Sequence, residues 1–66
     1  RNMKIKKLVN DKPLWDSFIE ILNEKIEVSQ RKLEQETAIE GMYRAQGEIA
    51  ALRRLTFLRD EINGRD

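Results

Sequence analysis

The side chains that could carry chemistry are hydroxyls, carboxylates and amines, because the chain has neither histidine nor cysteine. Its serines and threonines therefore lack an imidazole to activate them as nucleophiles. The carboxylates Glu20, Glu24 and Glu27 follow helical spacing beside lysines, as on a solvated surface. A zinc site would lack nitrogen and sulfur ligands, and no Asp-rich calcium loop or Gly-rich phosphate loop occurs. We predict a protein that is not an enzyme, with no metal or cofactor.

Basic side chains offer a different chemistry, contact with phosphate groups. Residues 1–12 contain five basic residues and one acidic residue, whereas the whole chain has a net charge of +1. Ion pairing on a solvated surface is the competing interpretation, since Arg44 precedes Glu48 by four residues. We favour ion pairing, so nucleic-acid binding is the second hypothesis. The candidate partner or phosphate contacts are Lys4, Lys6, Lys7, Arg44, Arg53 and Arg54.

Two helices are predicted to position these side chains. Helix 1 covers about residues 12–35, with Asp11 or Lys12 at its cap and Pro13 in the first turn, where a missing N–H is tolerated. Helix 2 covers about residues 38–62. Apolar residues recur at helical spacing in both. They are Trp15, Ile19, Leu22, Ile26 and Leu33 in helix 1, and Met42, Ala45, Ile49, Leu52, Leu55 and Ile62 in helix 2.

Local signals indicate where helix 2 begins and ends. Thr37 and Glu40 match the capping-box pattern, in which the hydroxyl caps the helix and the carboxylate reaches back. Gly64 is expected to close helix 2 in a left-handed conformation. Gly47 in mid-helix costs about 1 kcal/mol relative to alanine, so we expect it to allow close packing against Ser29. One long helix is the alternative, because no proline interrupts the sequence here.

The predicted fold class is all-α: a two-helix antiparallel hairpin, coiled-coil-like, over residues 12–64. A basic N-terminal arm, residues 1–11, precedes it and could be flexible, an added strand or a turn of helix. Arg1 and Asn2 are interpreted as a cloning remnant before a natural start at Met3. No apolar run approaches the ~20 residues that cross a bilayer, so we expect no membrane association.

A two-helix hairpin buries only one apolar stripe of each helix, in the seam between them, so the other apolar side chains stay exposed. Exposed apolar patches are typical of interfaces. We therefore predict a homo-oligomer, either a helical bundle or a ring. The predicted self-association or partner interface consists of Trp15, Phe18, Ile21, Val28, Ile39, Tyr43 and Phe57.

The stretch from Tyr43 to Leu55, YRAQGEIAALRRL, followed by LRDEIN, resembles a segment of small, largely uncharacterised helical proteins of tailed bacteriophages. Genes for those proteins lie near head-morphogenesis or DNA-packaging genes. The resemblance covers about a third of the chain. It implies a viral protein that acts on portal, capsid or packaging machinery, in the host cytoplasm or in the virion. The matched positions Arg44, Gln46, Gly47, Arg53 and Arg54 are candidates for a shared contact surface.

The leading hypothesis is thus a non-enzymatic phage structural or interaction protein that self-associates and binds a viral or host protein. Virion head assembly and DNA packaging are the stages that the resemblance suggests. The alternative is a small regulatory protein that associates with nucleic acid or inhibits a host factor. The sequence does not specify the partner or the copy number.

Overall fold

The computed structural model describes residues 3–64, and in this range the chain is helical with no strand. The predicted all-α class is confirmed, but the described chain forms four helices where two were predicted. They are α1 (Met3–Asn10), α2 (Lys12–Gln35), α3 (Ile39–Leu55) and α4 (Leu58–Asn63).

The N-terminal segment is a helix, α1, rather than a flexible arm or a strand. An isolated helix of eight residues is marginal in water, so contacts with the rest of the chain must stabilise it. These contacts come from α2 and α4, both of which pack against α1. Val9 of α1 is completely buried. Of the three alternatives for the basic N-terminal arm, the helical one is confirmed, and the helix packs on the rest of the chain.

The start of α2 depends on Asp11, the residue between α1 and α2. The Asp11 carboxylate accepts a hydrogen bond from the Leu14 N–H at 3.2 Å, which satisfies one of the unpaired donors of the first turn. Pro13 also lies in that turn. The side chains that α2 buries are Trp15, Leu22, Ile26 and Ser29.

The turn between α2 and α3 differs from the predicted capping box. Ala38 is the N-cap of α3, and no side chain caps this helix. Instead, Glu36 Oε1 accepts hydrogen bonds from the backbone N–H groups of Thr37 at 3.0 Å and Ala38 at 3.1 Å. Gly41 gives this carboxyl group its space, because a Cβ atom at Gly41 would overlap it. The capping-box prediction is wrong because the glutamate before Thr37 binds the exposed N–H groups.

A break at Thr56 and Phe57 divides predicted helix 2 into α3 and α4. Their N–H groups bond to the carbonyls of Arg53 and Arg54, three residues back, as in a tighter 3₁₀ turn. The Thr56 hydroxyl also donates to the Arg53 carbonyl at 2.6 Å, a local bond that competes with helix continuation. Gly64 is the C-cap at which α4 ends, as predicted, but its φ of −73° is right-handed rather than left-handed.

The helices α2 and α3 run in opposite directions and pack along their length, with Ser29 Oγ donating to Glu48 Oε2 at 3.0 Å. The expected close packing of Gly47 on Ser29 is absent, because nothing lies within 4 Å of a Cβ atom placed on Gly47. The Cα atoms span 43 × 22 × 14 Å, so the molecule is elongated. The buried apolar residues are Val9, Trp15, Leu22, Ile26, Ala45 and Ile49.

Candidate interaction surfaces

Trp15 belongs to the core of the chain and not to an exposed interface. Its side chain is only 4% exposed. Its ring packs on Phe18, with ring centroids 5.3 Å apart, and the Arg59 guanidinium carbon lies 5.8 Å from the centre of the indole ring. This contact is a cation–π pair that joins α4 to α2. The interface prediction for Trp15 is therefore corrected, while Phe18 is half-buried beside it.

One side of the α2–α3 pair presents an apolar groove, which we call the Val28 face. It is lined by Glu24, Lys25, Val28, Ser29, Lys32, Glu48, Ala51 and Leu52. Val28 is 43% exposed and Ile21, seven residues earlier on the same helix side, is 50% exposed. Leu55 continues the surface from Ala51, four residues earlier. Two predicted interface residues, Ile21 and Val28, thus lie together on one exposed surface.

The opposite side of the pair, which we call the Gln46 face, is lined by Gln30, Leu33, Gln46, Ile49, Ala50 and Arg53. Ile39 and Tyr43 lie on the solvent side of α3 near this face, by helical spacing from Gln46 and Ala50. Both are about two-thirds exposed. The predicted interface residues are therefore divided between two sides of the molecule. Phe57, also largely exposed, lies at the break between α3 and α4.

A third surface, the outer side of α2, is acidic. A shallow hollow there is lined by Asp16, Glu20, Glu24 and Glu27 together with Ile19 and Asn23. Two of these carboxylates have basic partners one helical turn away, Lys12 for Asp16 and Arg31 for Glu27. Both ion pairs are solvent-exposed and contribute little to stability.

The candidate basic residues are not gathered into a single patch. Lys4 and Lys7 are exposed on α1, and Lys6 is half-buried there. Arg44 extends the Val28 face, where it lies near Lys32 and Glu48. The three arginines of α3 thus occupy different sides of that helix.

The surface matched by the bacteriophage resemblance is similarly divided. Gln46 and Arg53 share the Gln46 face. Gly47 and Arg54, one residue further along in each case, are exposed on the adjoining outer side of α3. Arg44 lies on the other side of the α2–α3 pair, one helical turn before Gly47. The five matched positions therefore do not share one face of α3.

Sequence reasoning missed Leu14 and placed Leu55 in the seam between the helices. Leu14 is 54% exposed and Leu55 is 41% exposed. A signal for the first was present, because Leu14, Ile21 and Val28 recur every seven residues and so share one side of α2. No comparable signal marks Leu55.

Residues 3–64 contain no cluster of three side chains that could hold a metal ion. None of the helices in this range is long and apolar enough to cross a membrane. Comparisons with models of protein families, with curated proteins and with solved structures found no match for this chain. The resemblance to bacteriophage proteins therefore stays a prediction.

Proposed function

We propose that this chain is a non-enzymatic interaction protein that self-associates and, as an assembly, binds a viral or host protein. The observation that carries the proposal is the set of large apolar side chains, 41–69% exposed, on both sides of the α2–α3 pair. Exposed apolar patches are typical of protein interfaces. A second copy would bury part of this surface.

The thin core supports the same proposal. The Cα radius of gyration is 14.6 Å, compared with about 11 Å for a compact chain of this length. A core of six buried apolar residues gives a small protein little margin against unfolding. Two copies of the α2–α3 pair would form a four-helix bundle, and a ring of copies is the other closed arrangement.

The biological setting that we propose is a tailed bacteriophage, at virion head assembly or DNA packaging, in the host cytoplasm or the virion. This part depends on the resemblance of the stretch from Tyr43 to Leu55. The matched positions are exposed on α3, and Gln46 and Arg53, which share the Gln46 face, would contact the viral or host partner.

Light scattering after size exclusion, over a hundredfold range of protein concentration, tests the proposal. We expect a mass above that of one 7.8 kDa chain, rising with concentration until it reaches a fixed copy number. A single-chain mass at every concentration would refute self-association.

A nucleic-acid-associated regulator is the second candidate. It is supported by the exposed Arg53 and Arg54 in the last turn of α3 and by the exposed Lys4 and Lys7 of α1. Fluorescence anisotropy with a labelled DNA duplex at low salt tests it, since phosphate contacts weaken steeply as salt increases. Absence of binding at low salt would eliminate this candidate.

A further inference from the structure

We propose that the Val28 face is the contact between two copies of the chain, each presenting the same face across a two-fold axis. The inference rests on the proposed self-association and specifies the surface responsible for it. It also specifies the Gln46 face as the side that stays free for another partner.

The exposed area of the chain agrees with what one partner brings to a stable dimer. The chain exposes 5339 Å², whereas a compact monomer of this mass exposes about 4,400 Å². The excess of about 900 Å² is close to the ~800 Å² that each partner buries in a standard interface. One contact with one other copy therefore accounts for the excess.

The Val28 face has the apolar side chains that such a contact needs. Ile21, Val28 and Leu55 are 41–50% exposed, and each has further apolar surface to bury. Ala51, also exposed, lines the groove between the two helices. Its small side chain leaves space for a larger one from a facing copy. Across a two-fold axis, every such contact occurs twice.

The charges around this groove point to a second copy as the occupant. Two acidic residues, Glu24 and Glu48, and two basic residues, Lys25 and Lys32, line the groove. A face with equal numbers of both signs can meet its own copy without net repulsion. The acidic outer side of α2 cannot, because its carboxylates would face like charges.

Two neighbouring alanines provide a matched test, since Ala51 lines the Val28 face and Ala50 lines the Gln46 face. Both are exposed on the same helix. We expect Ala51→Glu to weaken self-association about 100-fold or more, because each copy would bring a new negative charge into the same apolar interface. Ala50→Glu should leave the dimer intact. Light scattering over a range of concentrations measures both, and circular dichroism checks that helicity is kept.

Each outcome separates the two proposals. A monomeric wild-type chain would overturn self-association and, with it, this assignment. A dimer that survives Ala51→Glu but dissociates with Ala50→Glu would leave self-association standing and overturn the Val28 face. A wild-type mass above two chains would overturn the two-fold pair. If Ala51→Glu loses helicity, Val28→Gln with Tyr43→Gln as its control replaces the alanine pair, and only the Val28 variant should dissociate.

Discussion

Asn10 and Asn63 exchange two hydrogen bonds through their side-chain amides, although 53 residues separate them in sequence. The Asn10 nitrogen donates to Asn63 Oδ1 at 3.0 Å, and the Asn63 nitrogen donates to Asn10 Oδ1 at 2.9 Å. The Asn10 nitrogen also donates to the Lys6 carbonyl at 2.9 Å. This bond satisfies one of the carbonyl groups in the last turn of α1. This pair joins the end of α1 to the end of α4.

Removal of either amide should therefore cost nearly as much as removal of both. We expect Asn10→Ala and Asn63→Ala each to lower the free energy of unfolding by about 0.5–1 kcal/mol, since the bonds are exposed to water. The double variant should be only slightly less stable than either single one. Urea unfolding at constant protein concentration measures the cycle. Fully additive losses would mean that the two amides act independently.

Trp15 and Phe57 should differ sharply in their contribution to stability. We expect Trp15→Ala to cost about 3–5 kcal/mol, enough to unfold a chain with so small a core, because the indole is buried. Phe57→Ala should change stability by less than about 0.5 kcal/mol, since that ring is 64% exposed. Far-ultraviolet circular dichroism during thermal unfolding compares them. Equal losses would place Phe57 in the packed structure and contradict the assignment.

Gly47 is a site where a methyl group should stabilise the protein. We expect Gly47→Ala to raise the free energy of unfolding by about 1 kcal/mol, because alanine favours the helix and nothing lies near the added Cβ atom. The reverse change at exposed Ala50, Ala50→Gly, is the control and should lower stability by a similar amount. Chemical denaturation measures both. A destabilised Gly47→Ala variant would show that another chain packs against this backbone.

Glu36 and Gly41 should be energetically coupled in the turn between α2 and α3. We expect Glu36→Ala to cost about 1 kcal/mol, because it removes an ionised acceptor from two backbone N–H groups. A methyl group at Gly41 would displace that carboxyl group, so Glu36→Ala should cost almost nothing when Gly41→Ala is already present. A double-mutant cycle in urea tests this. The same loss in both backgrounds would disprove the coupling.

The parts of the fold that local signals determine could be predicted from the sequence. The start of α2 is an example, because Asp11 and Pro13 mark a helix start by cap chemistry and by a fixed φ. The helix α1 was one of three alternatives for the N-terminal segment, because its stability comes from contacts with α2 and α4 rather than from its own eight residues. The break at Thr56 has no glycine or proline to announce it.

The exposure of the predicted interface residues shows the same difference: exposure fixed by helical periodicity was predicted correctly, and exposure fixed by tertiary contacts was not. Periodicity identified Ile21 and Val28 as surplus to the seam, and the structure places both in the open. The sequence allows either the core or an interface for Trp15, because apolar neighbours at helical spacing are typical of both. In the structure, Phe18 and Arg59 pack against the indole and place it in the core.

The Asn10–Asn63 pair joins the last residue of α1 to the last residue of α4, and α1 is only about 12 Å long, so the start of α1 also lies near the end of α4. The turn at 36–38 lies at the other end of a molecule 43 Å long. A unit with neighbouring ends can be grafted into a surface loop of a host protein without forcing that loop apart. The same layout would place two fluorescent labels, one before α1 and one after α4, within efficient energy-transfer range in each folded copy.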